Sequence, residues 1–278
     1  MGNNQSNTSF RIEGRDKWVV FEKNWFAEGR SRRVYRGTYQ GERHMTGKEC
    51  VVKIYKEQWS EKLGEMAYRA DIRATDRAQE MAKLFNREYM MNGYSIEFNK
   101  LEITWINSSA GFRFLGFLRI PKKVKSKKAD ERAPSSAMII KGDTVLIEKY
   151  LKGEFIHFLS NTAYQDESVQ DTVSAAFSHF TYQASSGQIL VCDLKGVHGE
   201  QGYVFTDPAI HSHIDPGNYG SADLGDVGIL KFFENHTCGD LCEGFQRLDP
   251  ADVTSRVRRQ ARALTPGRST THLHELSL

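Results

Sequence analysis

Between Trp18 and Tyr150 apolar residues recur in short runs broken by polar and glycine-containing turns. WVVFEK, RRVYRGTY, ECVVKIY, KLEITWI, FRFLGFLRI and TVLIEKY are rich in β-branched and aromatic side chains and predict strands. One stretch breaks this rhythm. From about Ser60 to Tyr89, Ala67, Ala70, Ala74 and Ala78 recur near helical spacing and predict one long helix. The tract from Pro121 to Ala137 is basic, then carries Pro and Ser, and predicts a mobile loop.

From Gly153 onward the mixture changes. A helix is predicted across Ser168 to Gln183, followed by the strand QILVCDL. Another helix runs from about Leu224, with Val227, Leu230 and Phe233 along one face. After about Asp249 apolar residues thin out and the tail turns basic, with Arg256, Arg258, Arg259, Arg262 and Arg268. No internal repeat is visible. The fold class is therefore α+β, a β-rich N-terminal lobe followed by a mixed α/β lobe.

Composition narrows the class without naming it. The chain has 278 residues, 39% hydrophobic and 26% charged, with net charge +3. That is long enough to bury a sizeable core as one large domain or two joined lobes. No apolar run approaches the roughly 20 residues of a membrane span. A charge of +3 over this length does not argue for nucleic acid. The four cysteines, Cys50, Cys192, Cys238 and Cys242, do not resemble a secreted disulfide framework, so a reducing, cytoplasmic compartment is expected. Met1-Gly2-Asn3-Asn4-Gln5-Ser6 fits an N-myristoylation pattern; a disordered polar leader over residues 1–15 is the plainer account. A single acyl chain attaches only weakly and reversibly, so a second membrane signal is needed. The lysine run from Lys122 to Lys128 could supply one, and is more simply a solvated loop.

The chemistry concentrates between Val191 and Cys242. Asp193 follows directly on the apolar strand Ile189-Leu190-Val191-Cys192, where a strand end would present it. Asp207 precedes Pro208, which forces an extended or turn geometry on it. One acid that positions a hydroxyl and another that holds magnesium are what phosphoryl transfer requires, although a lone Asp-Pro is usually only a turn former. Lys53 sits in Val51-Val52-Lys53-Ile54-Tyr55, where strand alternation would point it away from the apolar flanks and toward phosphates. Phe26 to Gly37 reads as an arginine-rich turn between strands that could approach phosphate. There is no GxxxxGK[ST] loop, no HRD and no DFG.

A second cluster is metal-binding in type. Cys238 and Cys242 are four apart, which would place both on one helical face, and His236 lies two residues before. A structural zinc wants four ligands, and His179 is the candidate for the fourth, although a histidine in an apolar helix is usually a core residue. His211 and His213, flanking the TDP segment, are expected to satisfy local hydrogen bonds.

The ordered set GRSRRVYRG, ECVVKIY, VLIEKYLKGEF, SHFTY, VCDLKGV, FTDPAIHS, GSADLG and FFENHTCGDLC resembles the atypical alpha-kinase family, from about Phe26 to Cys242. The resemblance implies a two-lobed, kinase-like Ser/Thr protein kinase domain over residues 16–248, with lobes at about 16–150 and 151–248 and a basic tail at 249–278. It implies Mg-ATP as co-substrate and a structural zinc in the second lobe. By position, Lys53 matches the nucleotide-phosphate lysine, Arg32 the glycine-loop arginine and Glu148 an adenine-side acid. Asp193 matches the catalytic acid and Asp207 the metal-linked acid. His179, His236, Cys238 and Cys242 match the zinc ligands. Gly220, Asp223 and Gly225 lie in the glycine-rich segment that would contact the protein substrate, a Ser/Thr protein expected to carry basic residues nearby.

Two departures stand out. Lys195 occupies a position where the family has Gln; a lysine has only donors and a positive charge, and could repel a second metal or neutralise phosphate in its stead. The stretch between DLKG and TDP is longer than the family pattern, and His198-Gly199-Glu200-Gln201-Gly202 within it reads as a flexible turn. The competing reading is a zinc-stabilised pseudokinase that binds nucleotide as a scaffold.

Overall fold

The computed structural model describes residues 9–11, 18–41, 43–56, 59, 65–90, 94–105, 111–114, 118–125, 136–139, 144–165, 169 and 171–248. The acylation motif Met1 to Ser6, Lys127 and Lys128 of the lysine run, Ser168 and the tail from 249 therefore lie outside the described residues. The chain forms two compact units, Met1–Thr75 with Asn99–Lys152, and Asp76–Phe98 with Gly153–Leu278. Residues 76–98, read from the sequence as part of the first lobe, thus belong with the second unit.

The first unit is built on a six-stranded sheet. Its strands are β1 (Ser9–Arg11), β2 (Trp18–Glu28), β3 (Arg32–Gln40), β4 (Glu49–Tyr55), β6 (Glu102–Trp105) and β10 (Thr144–Lys149). Their order is β1-β2-β3-β4-β10-β6. Antiparallel registers such as Val34↔Lys53 and Leu146↔Lys53 place Lys53 on a central strand with neighbours on both sides. One core cluster forms around Tyr35, which takes edge-on contacts from Phe21 at 5.5 Å and Trp25 at 6.4 Å. Such aromatic pairs add about 0.5–1.5 kcal/mol beyond area burial. A second cluster joins Tyr55 and Leu146 to Ala67 and Tyr68 of helix α1 (Glu65–Tyr89). Ala67, Ala70, Ala74 and Ala78 are all buried, as the helical spacing predicts.

FRFLGFLRI is a hairpin, not one strand: β7 (Gly111–Phe114) turns into β8 (Leu118–Lys125), with Phe114 opposite Leu118. β8 then pairs with β9 (Ser136–Ile139). The expected loop from Pro121 to Ala137 is therefore strand at both ends. Val124, β-branched between lysines, is the residue type that tolerates a strand there.

In the second unit a four-stranded sheet has the order β11-β13-β14-β5. These strands are β5 (Ser95–Phe98), β11 (Ile156–Leu159), β13 (Leu194–Gly199) and β14 (Gly202–Thr206). β13 and β14 form a hairpin with Gly199 opposite Gly202, so the His198–Gly202 stretch is the tip of a paired ribbon rather than a flexible turn. Gly202 has φ +113, and a Cβ there would lie 2.0 Å from the Ser95 carbonyl of the parallel strand β5. Only glycine fits. β12 (Ile189–Cys192) pairs with β15 (Ala209–Ser212) beside helix α2 (Val173–Ala184). The Asp171 carboxylate accepts from the amides of Val173 and Ser174, which starts α2 there and not at Ser168. Helix α3 (Gly225–Asn235) buries Ile229 and Phe232, one position off the stripe read from the sequence. Phe85, on the later half of α1, packs edge-on against Phe177 and Phe180 of α2.

Candidate active site and metal centre

In the first unit Lys53 is not a strand lysine turned to water. It is 3% exposed, because both faces of β4 are covered, and its ammonium meets Glu148 Oε1 at 2.6 Å. Alternation fails as a guide where a strand is central to its sheet. Glu148, expected on the adenine side, is likewise 3% exposed and faces Lys53. Arg32, expected against phosphate, donates to Asp71 Oδ2 at 3.0 Å and lies over the Tyr55 ring at 5.3 Å. Tyr55 Oη donates to the same carboxylate oxygen at 2.8 Å.

In the second unit Asp193 directly follows β12 and Asp207 directly follows β14. Both adopt left-handed backbone conformations, φ +54 and φ +48, which non-glycine residues seldom adopt and which cost of order 1 kcal/mol each. Asp193 is partly exposed and holds Lys195 Nζ at 2.5 Å through Oδ2. Asp223, expected at a substrate surface, points inward instead. Its carboxylate accepts from the amides of Ser212, Gly217 and Gly225 at 2.8–2.9 Å, and burial still holds its pKa above the usual carboxylate range. Gly220 and Gly225, at φ +95 and +58, punctuate the loop that this carboxylate anchors.

His211 is fully buried and satisfies local hydrogen bonds, as expected. Leu224 N–H donates to its Nδ1 at 3.0 Å, so its ring proton sits on Nε2 and is donated to Asn161 O at 2.8 Å. Burial lowers its pKa to about 4, which keeps the ring neutral. Asn161, whose main-chain carbonyl accepts this bond, was missed, since a main-chain acceptor leaves no trace in the sequence. His213 Nδ1 meets Asp226 Oδ1 at 2.7 Å.

His179, His236, Cys238 and Cys242 come together at one point, their donor atoms all within 4.8 Å of one another. The helical face expected for the two cysteines is absent. Gly239 is extended, at φ −101 and ψ −172, so only Asp240–Cys242 forms a short 3-10 turn and Cys238 arrives from the preceding strand-like segment. His179 Nδ1 lies 3.6 Å from Cys238 Sγ, and His236 Nε2 lies 3.5 Å from Cys242 Sγ. A tetrahedral zinc with bonds near 2.0–2.3 Å has edges of about 3.6 Å, which these two His–Cys separations match, and two imidazoles with two thiols are a donor set suited to that ion. The other ring nitrogen of His179 donates to Gln246 O at 3.1 Å, which leaves Nδ1 with its lone pair toward the cysteines. Burial lowers the pKa of both histidines, His236 to about 4, favouring the neutral ligand form. Cys238 is exposed and Cys242 buried.

The family model for the Alpha-kinase family matches residues 27–242. The chain belongs to the alpha-kinase family. It is 40% identical to alpha-protein kinase vwkA of Dictyostelium discoideum over 109 residues, covering 39% of this chain and 17% of that protein. It is 36% identical to human eukaryotic elongation factor 2 kinase over 113 residues, covering 40% of this chain and 15% of that protein. The matched segment thus spans less than a fifth of either relative. Among solved structures, an alpha kinase from Entamoeba histolytica superposes with TM-score 0.64 at 21% identity, over 84% of this chain and 80% of that one. The alpha-kinase domain of myosin-II heavy chain kinase A in complex with AMP-PNP superposes with TM-score 0.60 at 23% identity, over 82% and 89%. At these identities the superpositions establish the alpha-kinase fold, a mixed arrangement of sheets and helices.

Proposed function

We propose that this chain is an ATP-dependent protein kinase domain that transfers the γ-phosphate of Mg-ATP to a Thr or Ser hydroxyl of a protein. The observation that carries the reading is the pair Asp193 and Asp207, each at a strand end and each in a left-handed backbone conformation. Strain retained at two acids of one unit is expected where a carboxylate must be aimed, rather than where it merely solvates a loop. Asp193 would accept or orient the substrate hydroxyl, and Asp207 would ligate magnesium. Lys53, held by Glu148, would neutralise nucleotide phosphate, with Arg32 near the phosphates. Gly220 and Gly225 would let backbone approach the peptide. Zinc, held by His179, His236, Cys238 and Cys242, would cross-link α2 to the segment after α3. With all four positions filled it would stay outside the chemistry. Attachment to a membrane surface through acylated Gly2 is a separate part of the proposal, read by myristate incorporation that Gly2→Ala abolishes.

Lys195 favours the second reading, a nucleotide-binding scaffold, because its ammonium already occupies Asp193. Radiolabelled ATP with a basic threonine peptide separates the two. The kinase reading expects label in the wild type and loss of at least about 100-fold in Asp193→Ala, the size typical of a positioned acid–base group. Bound nucleotide without transfer in the wild type establishes the scaffold, and undiminished transfer by Asp193→Ala removes that residue from its role.

A further inference from the structure

The side chain of Asn161 joins two segments that the proposed reaction must keep in register. Its Nδ2 donates to Ala222 O at 3.3 Å, in the glycine-rich loop. Its Oδ1 accepts from the thiol of Cys192, the residue before Asp193, at 3.2 Å. The amide orientation is fixed by chemistry, since the reverse would set an oxygen against the Ala222 carbonyl. Burial pushes the Cys192 thiol well up, so it stays protonated and donates; Ala209 O, at 3.6 Å, is its more distant acceptor.

The main chain around Asn161 closes the same circuit. Asp193 N–H donates to Ser160 O at 3.4 Å, and His211 Nε2 donates to Asn161 O at 2.8 Å. His211 Nδ1 in turn accepts from Leu224 N at 3.0 Å, two residues beyond Ala222. Ala163, in the same loop, sits at φ +63, so this turn carries strain of the kind seen at Asp193. Packed contacts hold such conformations in place only where the surroundings over-determine them. Asn161, Cys192 and His211 are thus mutually in contact, Cys192 Sγ lying 3.4 Å from His211 Nε2, and the backbone from Ala222 to Leu224 closes a second ring through Asn161 and His211.

We infer that Asn161 is a positioning residue that locks the backbone carrying Asp193 to the glycine-rich loop at Ala222, so that acid and peptide side move as one body. This rests on the kinase reading for its catalytic consequence, but not for the mechanical tie. The tie is tested by amide hydrogen exchange, which needs no activity. Asn161→Ala should speed exchange in both the 190–195 and 220–225 segments, while α2 is unaffected. Unchanged exchange in either segment overturns the tie.

The catalytic consequence is read by steady-state kinetics. Asn161→Ala should lower peptide kcat about 10-fold with KM for ATP unchanged, a modest share of what misplacing a reacting group costs. Cys192→Ser, whose hydroxyl can donate to Asn161 Oδ1, should retain near wild-type kcat. Cys192→Ala should match Asn161→Ala, and the double variant should be no worse than either. Additive losses, or a purely structural pattern in which all variants melt earlier with kcat per folded molecule unchanged, would refute the positioning role. A wild type that transfers no phosphate yet shows the exchange coupling would sink the kinase reading and leave the tie standing.

Discussion

Acidification should destabilise this protein in a way traceable to one buried ring. His211 has an ordinary pKa of 6.5 in an unfolded chain and about 4 in the folded one, chiefly because burial disfavours its cation. The Asn161 carbonyl and the Asp193 charge pull the other way and are outweighed. With a depressed folded pKa, the unfolded state binds the extra proton first. The contribution of His211 is therefore intact above about pH 6.5 and is lost as pH falls toward 4. At pH 5 the two constants give a loss of about 2 kcal/mol, and the full window gives about 3.4 kcal/mol. That is a sizeable part of a typical domain stability of roughly 5–15 kcal/mol.

Urea unfolding between pH 7.5 and 4.5, for wild type and His211→Gln, measures it. Glutamine can still offer a donor and an acceptor, but it does not titrate. His179 and His236 are also buried with lowered pKa values and contribute the same sign to both proteins, so the difference between the two curves isolates His211. Wild type should lose about 2 kcal/mol more than the variant between pH 7.5 and pH 5. Parallel curves over that range would show that His211 is already charged, or already solvated, in the folded state.

Further outcomes follow from the same packing. Gly228→Ala would place a Cβ 2.3–2.5 Å from the His211 ring, which is anchored at both nitrogens, and should cost about 3 kcal/mol in equilibrium unfolding. Lys53→Ala removes the ammonium that faces buried Glu148 and should cost about 3–5 kcal/mol, whereas Lys53→Met with Glu148→Leu should recover most of it in the same assay. Elemental analysis should find one zinc per chain, and both a strong chelator and Cys238→Ser should lower the thermal midpoint and release that ion.

The long helix was legible because its periodicity is long, with Ala67, Ala70, Ala74 and Ala78 buried as spaced, whereas the strands were read from short β-branched and aromatic runs, which merged two paired strands in FRFLGFLRI. What escaped the sequence was burial of polar groups. Strand alternation points Lys53 away from its apolar flanks and toward phosphates, but that rule assumes one wet face, and β4 has none: the ammonium meets buried Glu148. Asp223 reads as a surface acid, yet three backbone amides consume its carboxylate. The four clustered positions His179, His236, Cys238 and Cys242 were nameable from residue type and family likeness, but the turn that delivers Cys238 was not. Gly239 takes an extended conformation there, and a four-residue spacing cannot distinguish that from a helix.

Within the second unit, the buried polar groups beside Asp193 follow one logic. Asp193 and Ala163 are held in unfavourable backbone conformations, and the groups packed beside them, Cys192, His211 and Asn161, are polar yet paired. Apolar side chains of similar size would pack there without needing partners, but they would not fix direction. A hydrogen bond tolerates little angular error, and a ring closed by such bonds and by the Ala222–Leu224 backbone leaves Asn161 and the Cys192–Asp193 backbone few ways to relax. The ring is thus suited to holding a strained acid in one orientation, which is a demand of chemistry rather than of stability. Replacing Cys192 by valine puts the two demands in opposition. Stability in urea should change by less than about 1.5 kcal/mol, as for a volume-conserving core substitution, while exchange at residues 190–195 rises. A variant that loses stability without faster exchange there would mean that the ring serves the fold and not the aim of Asp193.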